Sequence, residues 1–79
     1  MSARPNKAVN LDAYSGRFAA RLRELRLKRK MTVDQLAKIS GIPDKTLYKW
    51  ESGDHAPTID RLPELAQALG VKPRTLLPE

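Results

Sequence analysis

The sequence contains no cysteine, so neither a disulfide framework nor a thiolate metal site can form. Its single histidine, His55, has no metal-ligand spacing around it, which argues against a catalytic metal. No apolar run approaches the roughly 20 residues that a membrane span requires, and residues 1–10 lack the apolar stretch of a secretion signal. No nucleophile–base pair, phosphate loop or pair of catalytic carboxylates stands out, so an enzyme is nearly excluded. Low-complexity segments and internal repeats are missing as well. What these absences leave is a soluble, cytoplasmic, non-enzymatic protein with no cofactor and no metal.

What the chain does have is positive charge. Its 79 residues carry a net charge of +6, with 41% apolar residues, enough for one small domain with a modest core. Residues 1–49 hold 12 Lys and Arg against 4 Asp and Glu, while residues 50–79 hold 3 against 5. A basic end and a mildly acidic end would orient a large polyanion. An anionic membrane fits less well, because a helix lying on it needs a broad apolar face that the core already claims.

Two short helical patterns between Thr32 and Gly53 organise the chain: T-V-D-Q-L-A-K-I-S-G-I-P-D-K-T-L-Y-K-W-E-S-G. The first opens on a capping box, with Thr32 as cap and Gln35 three residues on, and Met31 and Leu36 at the staple positions. It closes at Gly41, where a left-handed residue is wanted. The second starts at Pro43 or Asp44 and closes at Gly53. Two helices joined by such a turn outline a helix-turn-helix. On the second helix Leu47 and Trp50 form the buried stripe. Asp44, Lys45, Tyr48 and Lys49 centre on the opposite direction, a face that suits base edges in a major groove. An ordinary solvated surface helix has the same pattern.

The remaining segments complete an all-α domain. Residues 1–12 read as a flexible arm in which Arg4 and Lys7 are the basic residues, and residues 13–79 as the domain. A first helix begins between Asn10 and Arg17 and carries Leu11, Tyr14, Phe18, Leu22 and Leu25 as its buried stripe. Seven cations surround that stripe. Lys28, Arg29 and Lys30 suit the helix C-terminus, whereas Arg17 and Arg21 sit where the dipole disfavours them. Val33, Leu36 and Ala37 face inward on the second helix, and Ile42 plugs the turn. Pro63 belongs in the first turn of a fourth helix, after a turn at residues 58–61, with Leu62, Leu65, Ala66 and Leu69 inward and Gly70 as the stop. A fifth short helix starts at Pro73. Its Leu76 and Leu77 either close the core or face a second subunit.

Five helices with the second and third as a helix-turn-helix resemble the Cro/C1-type (XRE) family of lambda-repressor-like DNA-binding domains. The resemblance runs from about Phe18 to Leu77. It rests on L-R-E-L-R, M-T-x-x-Q-L-A-x-x-S-G-I, T-L-Y-K-W-E-S-G and L-P-E-L-A-Q-A-L-G-V taken together. It implies a compact five-helix fold whose third helix enters the major groove of double-stranded DNA. The implied base-contacting residues are Asp44, Lys45, Tyr48 and Lys49. The expected phosphate contacts are Arg17, Arg21, Arg26, Thr32, Thr46 and His55. Leu47, Trp50 and Glu51 are structural, with Glu51 paired to Arg26. A repressor acting as a homodimer through Leu76 and Leu77 on a palindromic operator is the expected function. The alternative is an antitoxin-like module with a toxin-like protein partner. Three positions depart from the family pattern: Val33 where Gln is frequent, Pro43 where Ser is frequent, and Lys30 where Gly is frequent. Asp54 also stands where basic residues often touch phosphate.

Overall fold

Four α-helices and two 3-10 turns occupy residues 14–77, the part of the chain that this computed structural model describes. The helices are α1 (Tyr14–Lys28), α2 (Val33–Ser40), α3 (Asp44–Ser52) and α4 (Leu62–Leu69). The turns are Ile59–Arg61, which leads into α4, and Pro73–Leu76. No strand occurs among the described residues. The expected arm at residues 1–12 and Leu11 of the first stripe lie outside them.

Local chemistry sets the helix ends. The Gln35 N–H donates to the Thr32 hydroxyl at 3.0 Å, and the Thr32 N–H donates to the Gln35 side-chain carbonyl at 2.8 Å. Both halves of the capping box are therefore made, and two N–H groups that the first turn leaves over are satisfied. At the other end of α2 the chain reverses at Gly41 with φ 77°, a conformation that a Cβ would strain. Pro43 precedes α3 without a side-chain cap, as its lack of an oxygen requires. Instead the Lys45 N–H donates to the Asp44 carboxylate at 2.8 Å, so an acid one residue later serves the same end.

Phe18, Leu22, Leu36, Ile42, Leu47, Leu65, Leu69 and Leu76 are fully buried and make one core with Leu25, Val33, Trp50, Leu62 and Ala66. α1 packs on α3 and on the Pro73–Leu76 turn, and α2 packs on α3 and α4. Since α2 and α3 are eight and nine residues long, this packing, not their own propensity, holds them. Pro63 sits in the first turn of α4, as expected from its missing N–H.

Three expectations are corrected. The fifth helix is a 3-10 turn: Pro73 brings no N–H, Leu77 donates to Arg74 three residues back at 3.1 Å, and Leu77 is already extended at ψ 126°. Leu76 is 0% exposed and fills the chain's own core, and Leu77 is half-buried against it, so Leu76 offers no surface to a second subunit. Tyr14, expected in the buried stripe, is 44% exposed: it is the first residue of α1, one turn before Phe18, where burial of the stripe begins.

Lys30 has φ 57°, and it is the one non-glycine residue in the left-handed region among the described residues. Helix α1 has ended at Lys28, and the chain turns through Lys30 to reach the Thr32 cap. Lys30→Gly should relieve about 1–2 kcal/mol of left-handed strain and cost about 0.4–1 kcal/mol in unfolded-chain entropy. A net gain of roughly 0.5 kcal/mol in urea unfolding is expected. A loss would show that the lysine side chain stabilises this turn.

Candidate nucleic-acid interface

Helix α3 is clamped from behind and bare in front. Leu47 is 0% and Trp50 5% exposed, whereas Asp44, Lys45, Tyr48 and Lys49 are all exposed. At about 100° per residue, Lys45 lies about 170° from the midpoint of the two anchors. Tyr48 and Lys49 flank it on either side. Asp44 is on the Tyr48 side, and its carboxylate is engaged by the Lys45 N–H. The arrangement is thus two ammonium donors, a phenol and one carboxylate on a single convex strip. Such a strip can donate to guanine O6 and N7, accept from a cytosine amino group and meet a thymine methyl.

Two devices hold α3 in place. On one edge, the Arg26 guanidinium donates to both Glu51 oxygens, from Nε at 2.6 Å and from Nη2 at 3.0 Å. Its Nη1 donates to the Met31 carbonyl at 2.7 Å. One side chain therefore ties α1, the turn before α2 and the end of α3. The two side chains are 11% and 8% exposed, so the pair is largely withdrawn from water. Its partner's hydrogen bond raises the Arg26 pKa above the ordinary arginine value; burial opposes this and loses. Three of the five guanidinium N–H groups are used, which leaves two for an outside acceptor. On the other edge, Arg61 lies over the Trp50 ring with its guanidinium carbon 5.8 Å from the centroid. Sequence alone does not signal that cation–π contact, since Arg61 and Trp50 belong to separate helical patterns.

The expected phosphate contacts do not form one group. Thr32 is exposed at the start of α2, with its hydroxyl oxygen accepting from Gln35. Thr46 is half-buried on the Trp50 edge of α3, and His55 is exposed in the following loop. Arg26 faces α3. Around α1, however, Arg21 lies about 140° and Arg17 about 180° from Arg26, so both stand on a different flank. Arg23, one turn before Arg26 and exposed, is the α1 cation nearest to Arg26 in helical phase, about 60° around the helix. Helical phase alone, applied to Arg26 as a reference, would have identified it.

The loop after α3 is built from short polar links. Ser52 donates to the Lys49 carbonyl at 2.8 Å and accepts from the Asp54 N–H at 3.3 Å. The Thr58 hydroxyl bonds the Asp60 carboxylate, and chiefly for that reason the Asp60 pKa falls below the ordinary aspartate value. Stability from this bond is present above the ordinary value and is lost as pH falls through the lowered one.

Comparison with known proteins agrees with the helix-turn-helix fold. Residues 22–76 match the family described as "Helix-turn-helix", HTH_3. The chain is 43% identical over 61 residues to an uncharacterized HTH-type transcriptional regulator, RghRB, of Bacillus subtilis. That match takes in 76% of this chain but 44% of the relative, so the chain spans less than half of the relative's length. Among solved structures, an HTH_3 family transcriptional regulator from Vibrio cholerae superposes with a TM-score of 0.76 at 27% identity, over 80% of this chain and 35% of that one. The restriction-modification controller protein C.AhdI from Aeromonas hydrophila superposes with a TM-score of 0.74 at 31% identity, over 86% of this chain and 100% of that one. A hypothetical transcription factor from Neisseria, NHTF, shares the fold with a TM-score of 0.78 at 20% identity, over 95% of this chain and 86% of that one.

Proposed function

The chain belongs to the Cro/C1-type helix-turn-helix family of transcription regulators, and from that membership we propose that it is a sequence-specific DNA-binding repressor. It lays α3 in the major groove and acts as a homodimer on a palindromic operator. The observation that carries this reading is the exposed strip of Asp44, Lys45, Tyr48 and Lys49 on a helix whose back is fully anchored. Lys45 and Lys49 donate to guanine, Asp44 accepts from cytosine and Tyr48 meets a thymine methyl or a phosphate. Arg26, with its two spare donors, joins Thr32, Thr46, His55 and Arg23 on the backbone. One domain of this size buries little DNA surface, so useful affinity calls for two copies, with half-sites about one helical turn apart. The dimer contact lies elsewhere than Leu76, which the core has taken.

Selection of binding sites from random duplex DNA, followed by sedimentation of the complex, tests this directly. The expected result is a palindrome bound by two chains. Enrichment of no motif would sink the proposal.

Within that frame, Lys45→Ala and Lys49→Ala should each lose about 1–3 kcal/mol of discrimination against the wrong base if the contacts are bidentate. The loss should appear on the selected site and not on random duplex. Equal losses on both would make these lysines backbone contacts.

A further inference from the structure

Helix α3 packs on α1 and α2, and its backbone scarcely approaches α4 or the Ile59–Arg61 turn. Toward α1 the Arg26–Glu51 pair fastens it. Toward α4 a side chain makes the bridge: Arg61 stands over the Trp50 ring, 5.8 Å from its centroid. Its own backbone is fixed, because the Arg61 N–H donates to the Thr58 carbonyl at 3.0 Å and Leu62, the next residue, is buried. Its Nε donates to the Glu64 carboxylate at 3.3 Å, so α4 holds one edge of the guanidinium whose carbon lies over the indole. The Arg61 and Glu64 side chains are 40% and 53% exposed, so their pair contributes little stability. What it contributes is orientation.

The two fastenings grip neighbouring residues. Trp50 and Glu51 point about 100° apart around α3. Together they resist rolling of the helix about its own axis, and removing one loosens that restraint. Base contacts are sensitive to such a roll. A side chain about 6 Å from the axis moves about 1 Å when the helix rolls by about 10°, and a contact of fixed geometry tolerates about 0.5 Å. Contacts to phosphate are less exacting, since charge attraction carries them without a sequence code.

We propose that Arg61, oriented by Glu64, is a positioning residue that fixes the roll of α3, and with it the discrimination between DNA sequences, without itself touching DNA. The inference rests on the DNA-binding reading above. The competing role for a partly exposed guanidinium is a phosphate contact. It suits Arg61 less well: the Glu64 carboxylate at 3.3 Å from its Nε opposes a second anion, and the Trp50 ring takes one face of its plane.

The test measures affinity of the full chain for its selected site and for random duplex, over a range of salt, in Arg61→Ala and Glu64→Gln. Far-UV circular dichroism verifies the fold. Acrylamide quenching of Trp50, the only tryptophan, reports on the ring in the free protein. Arg61→Ala should lower the ratio of the two affinities about fivefold or more, the lower end of what one bidentate base contact provides. It should leave the salt slope on random duplex unchanged and raise the quenching of Trp50. Glu64→Gln keeps the guanidinium and should lower the same ratio by a smaller factor. Equal losses on both duplexes in Arg61→Ala, with the salt slope reduced by about one, would make Arg61 a phosphate contact and overturn the proposal. An unchanged ratio would overturn it too. So would a Glu64→Gln chain that binds both duplexes more tightly at the parent ratio. Should Arg61→Ala fail to fold, Glu64→Gln, altered at an exposed side chain, still decides. If no site is selected, the DNA-binding reading fails by itself, and Trp50 quenching still shows whether Arg61 holds α3; unchanged quenching would end that claim.

Discussion

Trp50→Ala is expected to cost about 3–5 kcal/mol of folding stability, the usual effect of truncating a buried aromatic. A natural domain has only about 5–15 kcal/mol to lose, and 79 residues place this one toward the lower part of that range. The variant should therefore be largely unfolded at moderate temperature. Trp50 is 5% exposed, belongs to the single core and also carries Arg61 over its ring. Loss of that cation–π contact accounts for about 0.5–1 kcal/mol of the total. Thermal melts followed by circular dichroism decide the matter. Tyr48→Ala, on the outer face two residues before, serves as the control and should stay within about 0.5 kcal/mol of the parent. A Trp50→Ala chain that melts like the parent would mean that α3 is anchored by something other than its inner stripe.

Glu51→Ala should be nearly as severe, about 3–5 kcal/mol, for a different reason. Removing the carboxylate leaves the Arg26 guanidinium in place, 11% exposed, with two of its three hydrogen bonds gone. An uncompensated charge in such a site costs more than the intact pair contributes. The same logic predicts that Arg26→Met/Glu51→Leu recovers most of the loss, since neither charge is then stranded. Urea unfolding of Arg26→Met, Glu51→Leu and the double variant completes the cycle. Near-additive losses would sink the coupling. The raised pKa of Arg26 contributes no pH dependence in ordinary buffers. A cation with a raised folded-state pKa keeps its contribution below the unfolded value, and here loses it only above the arginine range.

Local signals were the legible ones. Thr32 and Gln35 are three residues apart and make their reciprocal bonds whatever surrounds them. Gly41 and the α2 boundaries follow from the same few residues, as does the inner stripe of Leu47 and Trp50. Arg26 and Glu51 are separated by 25 residues, and nothing in their spacing links them; the family resemblance did. The Pro73–Leu76 segment reads as a helix in sequence because four residues with Pro in front look alike in α and 3-10 form. Leu76 has two destinations open to it in sequence for a related reason: apolarity demands burial but does not say whose core provides it. The charge balance by halves of the chain is also coarse, since residues 1–49 join α1 to most of the helix-turn-helix, although the first is strongly positive and the second is not.

The division of α3 into an anchored back and an uncommitted front has an evolutionary corollary. Lys45, Tyr48 and Lys49 are exposed, whereas Leu47, Trp50 and Glu51 hold the helix. Exchanging front residues therefore costs little stability, and on the proposed reading target preference can drift while the scaffold persists. Copies of such a gene could part ways in what they regulate through two or three substitutions, without passing through an unfolded intermediate.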